Sequence, residues 1–308
     1  MNYNILLVGY GNIGKRYLEG ILKSQLNITV LIIDNNIDEE FEDKFKDLKN
    51  KNLHFSNSYK KFKKLDINLL INTTYATGRL DLIKSYCNYF NVKNLILEKV
   101  VENNLENIKE FKKLKLDNCW VNTFLRTLDV FKEIKNKSNG KIKMKVSGGN
   151  WGLLCNTIHY IDLLAFISES SPEKILKQDF HGKFIRAKRK GFLEIYGSFQ
   201  ILYKDESILD LECIDSDQEL KIEYERGSYK YNYNLISGVF ENNNQSRIIK
   251  VPYQSDMTTD LINNILIHQK CELTNLEDSL KFHEFFLKFI IDFKNHIDNL
   301  KSTSINIT

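Results

Sequence analysis

The sequence predicts an α/β fold in two parts: a parallel sheet with crossover helices, then an α/β region whose sheet is mostly antiparallel. Three observations carry this. The 308 residues amount to about two typical domains. In roughly the first 120 of them, short apolar runs alternate with amphipathic stretches, the order strand, helix, strand, helix that builds a parallel sheet. After residue 140 the pattern changes, and segments such as "LKIEYE", Leu220 to Glu225, alternate strictly, as a sheet with one wet face requires. The change places the boundary near 120–125, giving domains 1–122 and 123–308.

Taken in order, the first apolar run is Ile5–Val8, followed by Gly9, Gly11 and Gly14 and a helical stretch with Tyr17, Leu18 and Ile21. Ile28–Ile33, Leu69–Ile71 and Leu95–Leu97 are further strands, apolar throughout because helices cover both faces of such a sheet. Leu80, Ile83, Tyr86 and Cys87 mark a helix between two of them. In the second part, "FLEIYGSFQILY", "ILDLECI" and "IIKV" (Ile248 to Val251) read as strands joined by short polar turns. Helices are expected at 156–168, 257–270 and 276–299, the last with Leu280, Phe285, Phe286, Phe289 and Ile290 on one face. The polar tail Lys301 to Thr308 is expected to fray.

Composition narrows the class. No run approaches 18 consecutive apolar residues, so no transmembrane helix and no membrane partner are expected. The N-terminus has neither the basic region nor the small-residue site of a signal peptide, so the cytoplasm is the expected location. Cys87, Cys119, Cys155, Cys213 and Cys271 are odd in number and lack metal-ligand spacing, so they read as reduced thiols, mostly buried. A net charge of +4 is too small to argue for nucleic acid.

The three glycines have a physical purpose. A helix N-terminus gathers unpaired N–H groups and positive dipole, which suits a phosphate, but a pyrophosphate comes close only where side chains are absent. Gly9 would make the tight turn, Gly11 would admit the phosphate to the backbone beside Asn12 and Ile13, and Gly14 would pack the helix on the strand. The second strand ends on Asp34, whose carboxylate can accept both hydroxyls of an adenosine ribose. Strand, turn, helix and acid together predict a Rossmann dinucleotide-binding domain. Asp34 would repel a 2′-phosphate and its neighbours Asn35 and Asn36 are neutral, so NAD(H) is favoured over NADP(H).

Three more stretches belong together: "INTTYATGRL" (71–80), "NLILEKVV" with Glu98-Lys99, and "GGNWGLLCNTIHYIDLLAF" from Gly148, with His159 and Asp162. In order and spacing they resemble the glucose–fructose oxidoreductase / inositol dehydrogenase (Gfo/Idh/MocA) family, as does the C-terminal "CELTNLEDSLKFHEFF". The resemblance implies a Rossmann domain followed by an α/β domain with an open, largely antiparallel sheet. It implies NAD(P)-dependent interconversion of hydroxyls and ketones on sugars, cyclitols and nucleotide-linked sugars. Lys99 matches the family lysine at the reacting oxygen and His159 its acid/base histidine, while Thr73, Thr74 and Glu98 fall in the family's cofactor motifs. The sequence departs from the family at Val100, where a proline is usual, at Thr74, which replaces the proline of a Thr-Pro pair, and at Gly78, which replaces a histidine. In the Asp-x-Gly-x-His stretch, Cys155 replaces the carboxylate and Thr157 the glycine.

Proton transfer to or from a carbinol needs a positioned acid or base. A lysine serves near neutral pH when burial or a neighbouring positive charge lowers its pKa, and a histidine titrates there already. Asn156 can orient a hydroxyl but carries no proton, and the apolar neighbours of Cys155 favour its thiol form. His159 and Asp162 lie three apart on a helix, but no third ligand is evident and no metal is expected. Arg126, at the start of the second domain, and the run Lys183, Arg186, Lys188, Arg189 and Lys190 are candidates to hold a phosphate or carboxylate, although such a run more often is a solvated loop. The substrate expected is a small sugar-type molecule, anionic in character. The resemblance also implies a homodimer or homotetramer paired through the open sheet, with Leu220, Ile222 and Tyr224 as an apolar patch on it. Two other functions stay open: a reductase of an imine or tetrapyrrole, and a non-catalytic NAD-binding sensor or scaffold.

Overall fold

The computed structural model describes residues 1–37, 52–114, 116, 118–137, 140–242 and 245–308. They form two compact units: Met1–Val101, Lys113–Asn122 and Pro252–Leu276 in the first, and Glu102–Lys112, Thr123–Val251 and Glu277–Thr308 in the second.

The first unit holds a seven-stranded sheet. Its strands are β1 (Tyr3–Val8), β2 (Ile28–Ile33), β3 (Asn52–Ser56), β4 (Leu69–Asn72), β5 (Leu95–Leu97), β6 (Cys119–Val121) and a late addition, Thr274–Asn275. The order is β3-β2-β1-β4-β5-β6, all parallel, with Thr274–Asn275 antiparallel on β6. The order reverses between β1 and β4, and a ligand crevice opens at the carboxyl ends of the strands at such a switch point. β1, β2, β4 and β5 coincide closely with the apolar runs, and their side chains are almost wholly buried. β3, "NLHFS", escapes an apolar-run criterion because it is an edge strand with one buried apolar residue, Phe55.

Helix α1 (Asn12–Lys23) packs on the sheet through Tyr17, Leu18 and Ile21. α2 (Arg79–Tyr89) follows β4, and α6 (Gln254–His268) joins the unit from far along the chain, as Ile262, Ile265 and Leu266 enter the same core. Gly20 permits close approach of α1 and α6: a Cβ there would lie 2.5 Å from Thr258 Cβ. The Gly20 carbonyl accepts from Thr259 Oγ1 at 2.8 Å, and Ser24 Oγ donates to Asn263 Oδ1 at 2.7 Å.

The second unit holds an eight-stranded sheet. Its strands are β7 (Ile142–Gly149), β8 (Pro172–Phe180), β9 (Gly197–Tyr203), β10 (Ile208–Ile214), β11 (Lys221–Arg226), β12 (Tyr229–Asn234), β13 (Val239–Asn242) and β14 (Ser246–Ile248), in the order β8-β9-β10-β7-β11-β12-β13-β14. All neighbours are antiparallel except β10 and β7. Its helices are α3 (Leu105–Lys113, which runs one residue beyond the unit), α4 (Asp129–Lys135), α5 (Leu153–Ser168) and α7 (Leu276–Asp298). Phe199 on β9 packs against Phe286 and Phe289 of α7, and Tyr203 Oη donates to the Ile161 carbonyl of α5 at 2.8 Å.

Four expectations are corrected. Ile222 and Tyr224 are only 2% and 4% exposed, so they belong to the core and not to an apolar surface patch. Strict alternation specifies two faces but not which one is covered. The opposite face carries Lys143, Lys145, Asp210, Glu212, Glu223 and Glu225, with Lys145 paired to Glu212 at 2.8 Å. The tail is anchored, because Ile305 and Ile307 are buried, the Ile305 N–H donates to the Asn103 carbonyl, and the Leu193 N–H donates to Asn306. Two isoleucines two residues apart suffice to dock a short polar segment. β14 ends at Ile248, so the strand expected at 248–251 lies mostly before that range. Among the five free cysteines only Cys119 and Cys213 are buried.

Candidate active site

In the first unit, the chain leaves β1 at Gly9, whose φ of +91° favours glycine. A Cβ at Gly9 would meet Thr73 Oγ1 at 2.8 Å, and one at Gly14 would meet the Gly9 carbonyl at 2.1 Å. At Gly11 the same atom would face open space, and no side chain caps α1. The turn is therefore pinned from inside at two glycines and bare on its outer side at the third, beside an uncapped helix N-terminus where Asn12 is exposed and Ile13 partly buried. These features fit a dinucleotide pyrophosphate.

Asp34 follows β2. Its Oδ2 accepts from the Tyr10 N–H at 2.7 Å and its Oδ1 from the Asn36 N–H at 2.9 Å. Asn36 Nδ2 also donates to Oδ1 at 3.1 Å, so Oδ2 keeps the further lone pair with which Asp34 can still accept from a ribose hydroxyl. Thr73 ties β4 to the glycine turn, with its hydroxyl donating to the Gly9 carbonyl at 2.8 Å and its N–H to that of Val8. Thr74 donates to Asn72 Oδ1 at 2.9 Å.

Glu98 lies inside this unit. Its Oε1 accepts from Tyr17 Oη at 2.9 Å and from Asn122 Nδ2 at 2.7 Å, and Asn122 also reaches Gln254 Oε1 at 2.9 Å. Burial raises the Glu98 pKa, against the lowering effects of the Asn122 and Tyr17 bonds and of the Lys99 and Arg79 charges. Burial likewise raises the Tyr17 hydroxyl, with the Glu98 charge adding to it. Lys99 is partly buried, two residues past the end of β5 at the carboxyl edge of the sheet. Tyr17, Asn122 and Gln254 carried no sequence signal as polar partners: Tyr17 stands on the apolar face of α1, and the other two are remote in sequence.

In the second unit, α5 carries the adjacent Cys155 and Asn156, then His159 and Asp162, each a further turn along the helix. His159 is 9% exposed, and the Phe124 ring meets it edge-on at 5.3 Å. Asp162 Oδ1 accepts from Arg126 Nη1 at 3.1 Å, and the Arg126 guanidinium also lies over the Phe166 ring. Asn156 Nδ2 donates to the Trp151 carbonyl at 2.6 Å. Glu194, on the short strand Leu193–Glu194, caps α5 by accepting from the N–H groups of Leu154 at 2.8 Å and Cys155 at 3.1 Å. Sequence reading passed over Glu194 because a strand glutamate has no local mark of a distant helix cap. A Cβ at Gly152 would crowd Cys155 Sγ at 2.8 Å and Glu194 Oε1 at 3.2 Å, so the cap needs this glycine. The basic run is exposed, with Arg189 donating to Thr308 Oγ1. Among the described residues, no group of three or more His, Cys, Asp or Glu side chains is placed to hold a metal, and no helix is long and apolar enough to cross a membrane.

No protein-family model matches the sequence, and no curated protein sequence matches it. Solved structures do. A dehydrogenase from Clostridium difficile superposes with a TM-score of 0.70 at 16% identity, covering 94% of this chain and 99% of that one. The UDP-N-acetylglucosamine 3-dehydrogenase of Acidithiobacillus ferrooxidans gives 0.72 at 8% identity, covering 94% and 96%. Scyllo-inositol dehydrogenase from Lactobacillus casei, solved with bound NAD(H) and scyllo-inositol, gives 0.69 at 15% identity, covering 96% and 98%. The chain has the fold that its resemblance to the Gfo/Idh/MocA family implied, a parallel Rossmann sheet and a second, mostly antiparallel one.

Proposed function

We propose that this chain is a divergent member of the Gfo/Idh/MocA family, an NAD-dependent oxidoreductase that interconverts a hydroxyl and a ketone on a sugar-type substrate. Nucleotide-linked sugars and sugar acids are the substrate classes in view. The observation that carries this reading is the Gly9–Gly14 turn at the switch point of the parallel sheet, with the Asp34 carboxylate at the end of the adjoining strand. The similarity to sugar, cyclitol and nucleotide-sugar dehydrogenases supports it.

When bound, the nicotinamide supplies or accepts the hydride. The chain's own groups bind and move protons. The N–H groups at the start of α1 receive the pyrophosphate, and Asp34 accepts from the adenosine ribose. Lys99 Nζ exchanges a proton with the reacting oxygen, and the His159 ring serves as acid or base, its orientation limited by the Phe124 ring. Cys155 stands where the family has a carboxylate, and the Glu194 cap fixes this turn of α5. Homodimer or homotetramer formation belongs to the same proposal and is read by light scattering.

The test has two steps. Calorimetry with NADH and NADPH should give tighter binding of NADH. NAD reduction or NADH oxidation is then followed across a panel of sugars, nucleotide-sugars and sugar acids, where turnover of at least one is expected. Tight NADH binding with no turnover on a broad panel would favour a sensor instead.

A further inference from the structure

We propose that Arg79 is a positioning residue for Lys99, holding the main chain on both sides of the lysine from inside the first unit. Arg79 opens α2 and is 1% exposed, the largest fully buried side chain among the described residues. Its Nη1 donates to the carbonyls of Glu98, Val100 at 2.5 Å and Val101 at 3.2 Å, and its Nη2 donates to the Thr74 carbonyl. Three of these carbonyls bracket Lys99, and the fourth belongs to the loop after β4, next to the glycine turn.

The physical need is specific. Past Leu97 the chain leaves β5, so the carbonyls of residues 98, 100 and 101 have left the ladder that serves a strand. A buried carbonyl without a partner is costly, and three turned toward one point require several donors there. Only arginine presents five N–H donors in one rigid, permanently charged plane. A lysine would offer a single mobile point, and a neutral residue at most two donors. One guanidinium therefore sets the curvature of the Lys99 loop and ties it to the Thr73–Thr74 loop. The charges of Arg79 and Lys99 both reach the Glu98 carboxyl, so the three groups share one electrostatic environment. The catalytic use of this anchoring rests on the oxidoreductase reading, but the anchoring itself does not.

The experiment measures the reactivity of each lysine separately. The full chain and its Arg79→Lys and Arg79→Met variants are labelled competitively with trace acetic anhydride across pH, and each lysine is quantified by mass spectrometry. The Lys99 rate should shift by about threefold or more in both variants, the scale of one lost hydrogen bond, while exposed Lys60 and Lys109 stay unchanged. Millimolar guanidinium should restore the Lys99 profile in Arg79→Met. Should Arg79→Met not fold, Arg79→Lys, which keeps stem and charge, carries the same readout. An unchanged Lys99 rate in a folded variant overturns the proposal, and so does a uniform rise at every lysine, which would make Arg79 only a core plug. NADH titration of the unsubstituted chain is a separate arm: failure to bind defeats the oxidoreductase reading while the labelling still decides the role of Arg79. With a substrate in hand, kcat should fall by about 10²-fold, the scale of a 1 Å misplacement, with KM unchanged.

Discussion

Asp162 lies three residues past His159 on α5 and accepts a hydrogen bond from Arg126 at 3.1 Å, with its own side chain 1% exposed and that of Arg126 21%. The arginine is thus engaged by a buried carboxylate within its own unit. Removing one partner of a buried pair strands the other charge, at about 3–5 kcal/mol. Arg126→Met should therefore lose roughly that much stability in urea unfolding, and adding Asp162→Asn should recover most of it. If Arg126→Met is as stable as the parent and only substrate affinity falls, the guanidinium serves chiefly as an anion clamp.

Asp34 should set the cofactor preference. Asp34→Ala should weaken NADH binding and narrow the gap to NADPH, because in the proposed role the carboxylate would accept from the ribose and repel a 2′-phosphate. The same substitution frees the Tyr10 and Asn36 N–H groups, so the glycine turn loosens as well. Tighter binding of NADPH than NADH by the unsubstituted chain would remove the basis for this assignment.

Glu98 gives stability a pH dependence of known sign. Its folded pKa is raised, chiefly by burial, above the ordinary 4.5. A raised carboxyl contributes its full stability below the unfolded value and loses it as pH rises through the folded one. Glu98→Gln keeps an acceptor for Tyr17 and Asn122 but does not titrate. The parent should therefore lose stability relative to Glu98→Gln as pH climbs from about 4.5 toward neutrality, as read by denaturant unfolding at several pH values. A difference independent of pH counts against a carboxyl raised by burial.

Lys99 and His159 are the proposed proton carriers. Lys99→Met should abolish turnover while NADH still binds, since the residues proposed to hold the pyrophosphate and ribose lie elsewhere in the first unit. His159→Ala should lower kcat by about 10² to 10⁴, the usual contribution of a positioned acid or base. Turnover that survives both substitutions would refute this mechanism.

Gly20 offers a test of packing alone. A methyl group there would lie 2.5 Å from both the Ser255 carbonyl oxygen and Thr258 Cβ. Gly20→Ala should push α6 off α1 and cost about 1–3 kcal/mol, the range for overpacking. A melting temperature equal to that of the parent would mean that the two helices separate freely.

Much of the fold was legible because the signals are local. β2, β5 and β10 match their apolar or alternating runs residue for residue, and α7 ends within one residue of its expected limit. β3 and the anchored tail were not, since an edge strand and a docked tail owe their place to the surfaces they meet. Among the candidate site residues, the glycine turn and Asp34 were visible because backbone conformation, the helix N-terminus and the end of a strand act over a few positions. Glu98 was visible only as part of a motif, and its partnership with Tyr17 and Asn122 was not.

The sequence by itself determined where the chain turns tightly, which segments are strands or helices, and which acid follows the second strand. Periodicity and φ/ψ limits act between near neighbours, so they are written locally. Tertiary structure alone decided which polar groups meet: Arg79 with the carbonyls around Lys99, Glu194 with the start of α5, Arg126 with Asp162, and Asn122 with Gln254, 132 residues later. It also decided which face of β11 is covered. The physical reason is the same in each case. A buried polar group must find a partner or incur the cost of desolvation, and the partner is whichever group the packed fold brings within about 3 Å, however distant in sequence.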